Sequence, residues 1–405
     1  MSNELLEKLR DDILNGNHYA KISAIDRLIE INNNKAFEIL IKAVEDDDEE
    51  VSFKASLAFK DCSSKIQKKI ISLFSHKKWK VRNLASDIII NNNNPSISTL
   101  IDTLKKDIDT NSKFWIIKTL GKLRNNKSFS ILKNIIESGK EEEKLAAIES
   151  LSSIRDKKSI NILIKSLIDE NWHVRKKSSE ILVEMGEIVV EELIKNIDSD
   201  NEDMFYWITK IIGKLRSVEA VESLISILDK NKDNEKREII IKTLGTIGDE
   251  KSIDHLIMRL NDNSWTMRKY AAESLLLSGE KIVEKMVETY NDKNPDVRYW
   301  SVWILGKIDN KKSIEILQKS LNDEEWFVRS LAVSYIGNLK KYSLISELIK
   351  MVDDENPEVR KSVNKSIEQL RNKKAIKFLE EFISKQNDKY KKIAEKFLNS
   401  IIYES

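Results

Sequence analysis

From Val328 onward, apolar side chains fall at +3 (Leu331), +4 (Ala332), +7 (Tyr335), +8 (Ile336) and +11 (Leu339), the spacing of one face of an α-helix. After a short polar break a second apolar-periodic run opens at "SLISELIKMV", and the acidic turn "DDENPEVR" returns the chain to the same register at Val359. The residue after each register zero stands at Lys21, Ser52, Arg82, Lys113, Lys144, Arg175, Phe205, Arg237, Arg268, Arg298, Arg329, Arg360 and Lys391. Such a near-constant interval is the mark of a repeat architecture. No other feature constrains the fold as much. A helical hairpin this short cannot bury its apolar stripe alone, so thirteen of them, the first and last degenerate, must stack into one continuous core. The prediction is an all-α solenoid, a single array over residues 1–405. Composition agrees: 10 Gly and 3 Pro leave little material for β-turns.

A longer period lies over the short one. Trp79, Trp172 and Trp265 stand three residues before the register residue and 93 apart, while Trp115, Trp207 and Trp300 follow at spacings of 92 and 93. Three hairpins therefore form a super-repeat: 79–171, 172–264 and 265–357, between N-terminal repeats at 1–78 and a C-terminal cap at 358–405. The first hairpin of each block also ends its first helix atypically, with "IIINNNNPSIS", "ILVEMGEIVVE" and "LLLSGEKIVEK".

The stretches "NPDVRYWSVWILGKIDNKKSIEILQKSLND" (294–323) and "KREIIIKTLGTIGDEKSIDHLIMRLND" (236–262) carry an Asp-containing turn, a basic residue at the register position, a Leu-Gly-x-Ile helix end and an Ile-rich second helix. They resemble the HEAT repeat in its short phycobiliprotein-lyase-like form. The resemblance covers nearly the whole chain and implies a right-handed, armadillo-like α-solenoid. It also implies a protein-binding scaffold, with adaptors of prokaryotic signalling and taxis systems among its relatives.

Charge and cysteine content narrow the functions. Sixty-nine basic against 67 acidic residues give +2, so no global field draws the chain to nucleic acid or an anionic membrane. The basic stretch 65–82, the basic tail 361–396 and the acidic run 45–50 read as solvated faces. Cys62 is alone, which excludes an intramolecular disulfide and a thiolate metal cluster. The start "MSNELLEKLRDD" is too charged for a signal peptide, and no apolar run approaches the roughly 20 residues needed to cross a bilayer. A cytoplasmic location without membrane insertion is expected.

Catalytic signatures are sparse. Deoxyhypusine hydroxylase, an oxygenase of similar repeats, holds its metal with His-Glu motifs, whereas His18, His76, His173 and His255 are followed by Tyr19, Lys77, Val174 and Leu256. There is no Gly-rich phosphate loop, no nucleophile elbow and no Cys/His arrangement around Cys62. No catalytic, metal or cofactor residue is assigned, and the expected partners are one or more proteins. The alternatives are a nucleic-acid-binding or DNA-glycosylase-like helical-repeat protein, favoured by a basic concave cleft, and a chromophore or cofactor lyase, favoured by a closed apolar pocket.

Two residue sets remain. Asp169/Arg175, Asp262/Arg268, Asp292/Arg298, Asp323/Arg329 and Asp354/Arg360 repeat an acid six residues before the register Arg, and are expected to fix one hairpin against the next through charge-assisted bonds. At 100° per residue, +3 lies at the edge of the buried face and +2 points away from it. Trp115, Trp207 and Trp300 occupy +3 and are expected to be half-covered; Phe114, Tyr206 and Tyr299 occupy +2 and are expected to face solvent. With the turn residues Trp79, Trp172, Trp265 and Trp326 they form the candidate partner-binding set, since aromatic rings dominate interface energetics.

Overall fold

Short polar side chains begin the periodic segments because they satisfy amide groups that the first helical turn leaves without partners. Second helices open on an Asx-x-x-Ser pattern: Asp156, Asp249 and Asn310 accept from the backbone N–H of Ser159, Ser252 and Ser313. First helices open on Asn171, Asn294 and Asn356, which accept two residues on, with Pro295 and Pro357 pre-set in the first turn. The computed structural model describes residues 3–403, and among these no strand forms. Among the described residues no helix is long and apolar enough to cross a membrane.

The chain divides into two compact units, Met1–Ile211 and Ile212–Ser405, each an α-solenoid segment of stacked hairpins. In the first unit, helix Thr110–Lys122 packs on Glu141–Ser152, which packs on Trp172–Met185. In the second, Asn234–Ile247, Trp265–Leu276, Pro295–Lys307, Trp326–Asn338 and Pro357–Gln369 stack in succession. The second helices of the hairpins form a parallel layer beside them. Between the layers the apolar residues of the register lose all contact with solvent, among them Ile116, Leu120, Ile148 and Leu151, and Leu275, Ile304, Leu305 and Ile336. Each such side chain contributes about 1.5–3 kcal/mol of burial.

Helix ends carry the departures from this regularity. In two atypical hairpins Gly186 (φ 74°) and Gly279 (φ 57°) turn the chain through left-handed backbone into a short 3-10 segment, Gly186–Val189 and Gly279–Ile282. The "NNNN" stretch does it with side chains: buried Asn92 donates to the carbonyl of Phe59 (2.8 Å) and accepts from Gln67 (3.0 Å), whose own oxygen accepts from Ser96 N–H (2.6 Å). Cys62 lies beside this knot, buried, and burial pushes its thiol up to about 11. Thiolate is the reactive form, so a disulfide reagent at pH 8 is expected to leave the native chain unlabelled and to react stoichiometrically in denaturant. Rapid labelling of the native chain would contradict this packing.

Candidate binding surface

The register residue and the turn before it build the junction between hairpins. The expected acid–base pairs do meet, but through the backbone. Arg175, Arg268, Arg298, Arg329 and Arg360 each donate to the carbonyl of the Asp six residues earlier, at 2.7, 2.7, 3.2, 2.9 and 2.6 Å. The carboxylate of that Asp belongs to the preceding hairpin. Arg298 forks Asp323 (2.8 and 2.9 Å), Arg329 forks Asp354 (2.8 and 2.9 Å), Arg237 pairs with Asp262, and Lys144 pairs with Asp169 (2.5 Å). The reason is local: the Asp side chain folds over its own turn to accept the N–H two residues on, as Asp323 does from Glu325 and Asp354 from Asn356, and so faces back along the stack. Burial alone would raise the Asp323 and Asp354 carboxyls, but the arginine and backbone donors hold both below the ordinary range. Asp292 is an exception, since Arg268 reaches Asp296 instead (3.5 Å).

The aromatic set surrounds these junctions. Trp79, Trp172, Trp265 and Trp326 each form the first residue of a first helix and are exposed, from 42% at Trp326 to 63% at Trp79. Phe114 (37%) and Tyr206 (41%) are exposed as well, while Tyr299 is half-buried, and its burial pushes the phenol pKa up. Trp115, Trp207 and Trp300 differ from expectation: they are 2%, 6% and 2% exposed, core residues rather than half-covered ones. In two of these cases the ring from the preceding hairpin lies on top, Trp79 at 6.1 Å from Trp115 and Trp265 at 5.9 Å from Trp300.

Two elements were not anticipated from the sequence. In the second unit six rings connect in a chain of tilted and edge-to-face contacts: Trp265 to Trp300, Trp300 to Tyr299 and Trp303, Tyr299 to Phe327, and Phe327 to Trp326, at centroid separations of 5.3–6.0 Å. Trp303 and Phe327, at +6 and −1 of the register, join the candidate set. Lysines also cover the rings. Lys118, Lys176, Lys210, Lys269 and Lys307 hold their ammonium groups 4.6–5.8 Å from the centroids of Phe114, Trp172, Tyr206, Trp265 and Trp303. Every pair is spaced i, i+4, the signal through which the sequence could have shown them.

The layer of second helices has a different character. Its exposed charges pair from one hairpin to the next: Lys69 with Glu38 and Lys157 with Glu191 in the first unit, and Lys285 with Asp254 and Lys312 with Glu284 in the second. Such exposed pairs add only about 0–1 kcal/mol each, but they leave that face without a field of one sign. Among the described residues no group of three His, Cys, Asp or Glu is placed to hold a metal ion.

Residues 190–276, 259–336 and 319–399 match the family model for HEAT repeats, together just over half of the chain. No curated protein matches. Similar solved structures include yeast importin-β (Kap95p), 11% identical over 99% of this chain and 67% of that one with a TM-score of 0.34, and Kap121p, 14% identical over 95% and 50% with a TM-score of 0.42. Human deoxyhypusine hydroxylase is similar at 14% identity over 61% of this chain and 96% of that one, with a TM-score of 0.25. The chain spans about two thirds of the length of the importin-β chain and half that of Kap121p.

Proposed function

The chain belongs to the HEAT-repeat family, and from that premise we propose that it is a non-catalytic scaffold whose partners are proteins, held along the aromatic edge of the first helices. The observation that carries this reading is the recurrence of exposed rings at fixed register positions, each with a lysine over its face: Trp172 and Tyr206 in the first unit, Trp265 in the second. A ring with a cation at one face offers apolar area and a charge together, the combination enriched at interface hot spots. The buried Trp115, Trp207 and Trp300 act in this reading as the floor on which the exposed rings stand. The finer assignments belong here too: the short phycobiliprotein-lyase-like repeat type, triplication of a three-hairpin block in one continuous array, and an adaptor role in signalling or taxis in the cytoplasm. They rest on the repeat motifs and on the longer period marked by the tryptophans.

The test is the triple variant W79A/W172A/W265A beside the wild type in affinity capture from the native host, with urea unfolding of both. Trp79 and Trp265 each lose a ring pair, so each is expected to cost about 0.5–1.5 kcal/mol, and Trp172 less. The variant should remain folded and lose the proteins that the wild type retains. An unchanged set of captured proteins would remove the aromatic edge as the binding face.

A further inference from the structure

A groove of about 280 Å³ opens in the first unit between the second helices Ile97–Leu104 and Asn126–Ser138. Its walls are half-buried aliphatic side chains, Ile101, Leu104, Ile131 and Ile135, and its polar lining includes Lys113 and Glu143, which pair at 2.8 Å. Four aliphatic residues thus stand half-exposed around one open space.

The second unit shows what fills the corresponding place. Leu104 lies as far beyond Arg82 as Tyr290 lies beyond Arg268, so the two share one hairpin position. Tyr290 is buried, donates its hydroxyl to Asp323 (3.1 Å), and has the Lys319 ammonium 5.2 Å from its ring centroid. Ser138 and Asn134 lie as far beyond Lys113 as Asp323 and Lys319 lie beyond Arg298, and both line the groove. The groove therefore lies at the place that Tyr290 fills in the second unit, with a leucine where the tyrosine stands. Ser138 stands where the turn Asp would be, and the carboxylate in the lining is Glu143. Cavities of about 150 Å³ already admit benzene, so the space suffices for a phenol ring.

We propose that this groove is a docking site for a tyrosine side chain presented by a partner protein, its ring against Ile101, Ile131 and Ile135 and its hydroxyl donating to Glu143. The occupant is argued from the chain's own solution at Tyr290 and from the match of a phenol donor to a lysine-held carboxylate. The inference shares with the scaffold reading the premise that partners are proteins, but its apolar walls belong to the second helices and include none of the exposed rings.

The experiment uses the full chain with labelled Ile, Leu and Val methyl groups, followed by NMR during titration with p-cresol and, separately, toluene. p-Cresol is expected to shift the methyls of Ile101, Ile131 and Ile135 with a dissociation constant on the order of 1 mM, and toluene to bind several-fold more weakly. Leu104→Tyr should abolish the response. The reciprocal Tyr290→Leu should create a second p-cresol site at Val287 and Ile316, which holds the proposal testable if Leu104→Tyr fails to fold. Heptapeptides selected from a random library on the wild type should carry tyrosine, be displaced by p-cresol and fail to bind Leu104→Tyr. Equal binding of toluene, a response that survives Leu104→Tyr, or selected peptides without tyrosine would overturn the proposal. So would a change in oligomeric state on Leu104→Tyr, which would make the occupant a second copy. W79A/W172A/W265A should leave the p-cresol response intact, so the two readings fail separately.

Discussion

Gly245→Ala is expected to destabilise the second unit by about 1–3 kcal/mol, whereas Gly213→Ala should stabilise it by about 0.5–1 kcal/mol. Both glycines lie near the ends of first helices, Glu202–Leu215 and Asn234–Ile247, where alanine is the better helix former. What separates them is the neighbour. A Cβ on Gly245 would stand 2.4 Å from Ser274 Cβ and 2.9 Å from its Cα, so the helix Trp265–Leu276 itself must move away. A Cβ on Gly213 meets only the Thr243 methyl, at an ordinary 3.5 Å. Gly121 repeats the Gly245 arrangement in the first unit, 2.3 Å from Ser150 Cβ. The glycine of the Leu-Gly-x-Ile helix end thus sets how closely successive hairpins stack. Urea unfolding of each variant checks the contrast, with hydrogen exchange over 265–276 to localise it, because stability in a stacked array is carried by neighbouring repeats. Equal effects from the two substitutions would show that helix propensity, not close approach, accounts for the glycine.

That contrast marks the limit of what the sequence makes legible. The hairpin period, the helix caps and the apolar register follow from spacing, because each is a property of one helix and the turn beside it. Burial of Trp115 and Trp300 does not, since a single helix leaves +3 at the edge of its face and the ring that closes over it comes from the hairpin before. The same holds for the acid–base pairs. Their spacing shows that Asp323 and Arg329 meet, but not that the carbonyl is the acceptor while the carboxylate serves Arg298 in the hairpin before. The groove at Leu104 is silent for the same reason: it becomes visible only when the space occupied by Tyr290 is known.

Arg329→Ala should be among the most damaging single substitutions in the chain, at about 2–4 kcal/mol, because it leaves a part-buried carboxylate without its counter-ion. Arg329 is 7% exposed, forks Asp354, reaches Glu355 at 3.2 Å, and donates to the carbonyls of Asp323 and Glu324, both at 2.9 Å. Arg360 bonds only the carbonyls of its own turn, at 2.6 and 3.0 Å, so Arg360→Ala should cost about 1–2 kcal/mol. Arg329→Lys should fall between, keeping the charge and losing the fork. The pH dependence has a definite sign. The Asp354 carboxyl is held below its ordinary value in the folded chain, against the upward push of burial, so its contribution is complete above the unfolded pKa of about 3.9 and is lost as pH falls through the folded value. Wild type and Arg329→Ala should therefore converge in stability as the pH drops below about 4, while Arg360→Ala, which takes from Asp354 only a nearby charge and no hydrogen bond, should converge with the wild type much less. Parallel curves for all three would place the role of Arg329 in its packing and its carbonyl bonds, and remove the carboxylate from the junction's energetics.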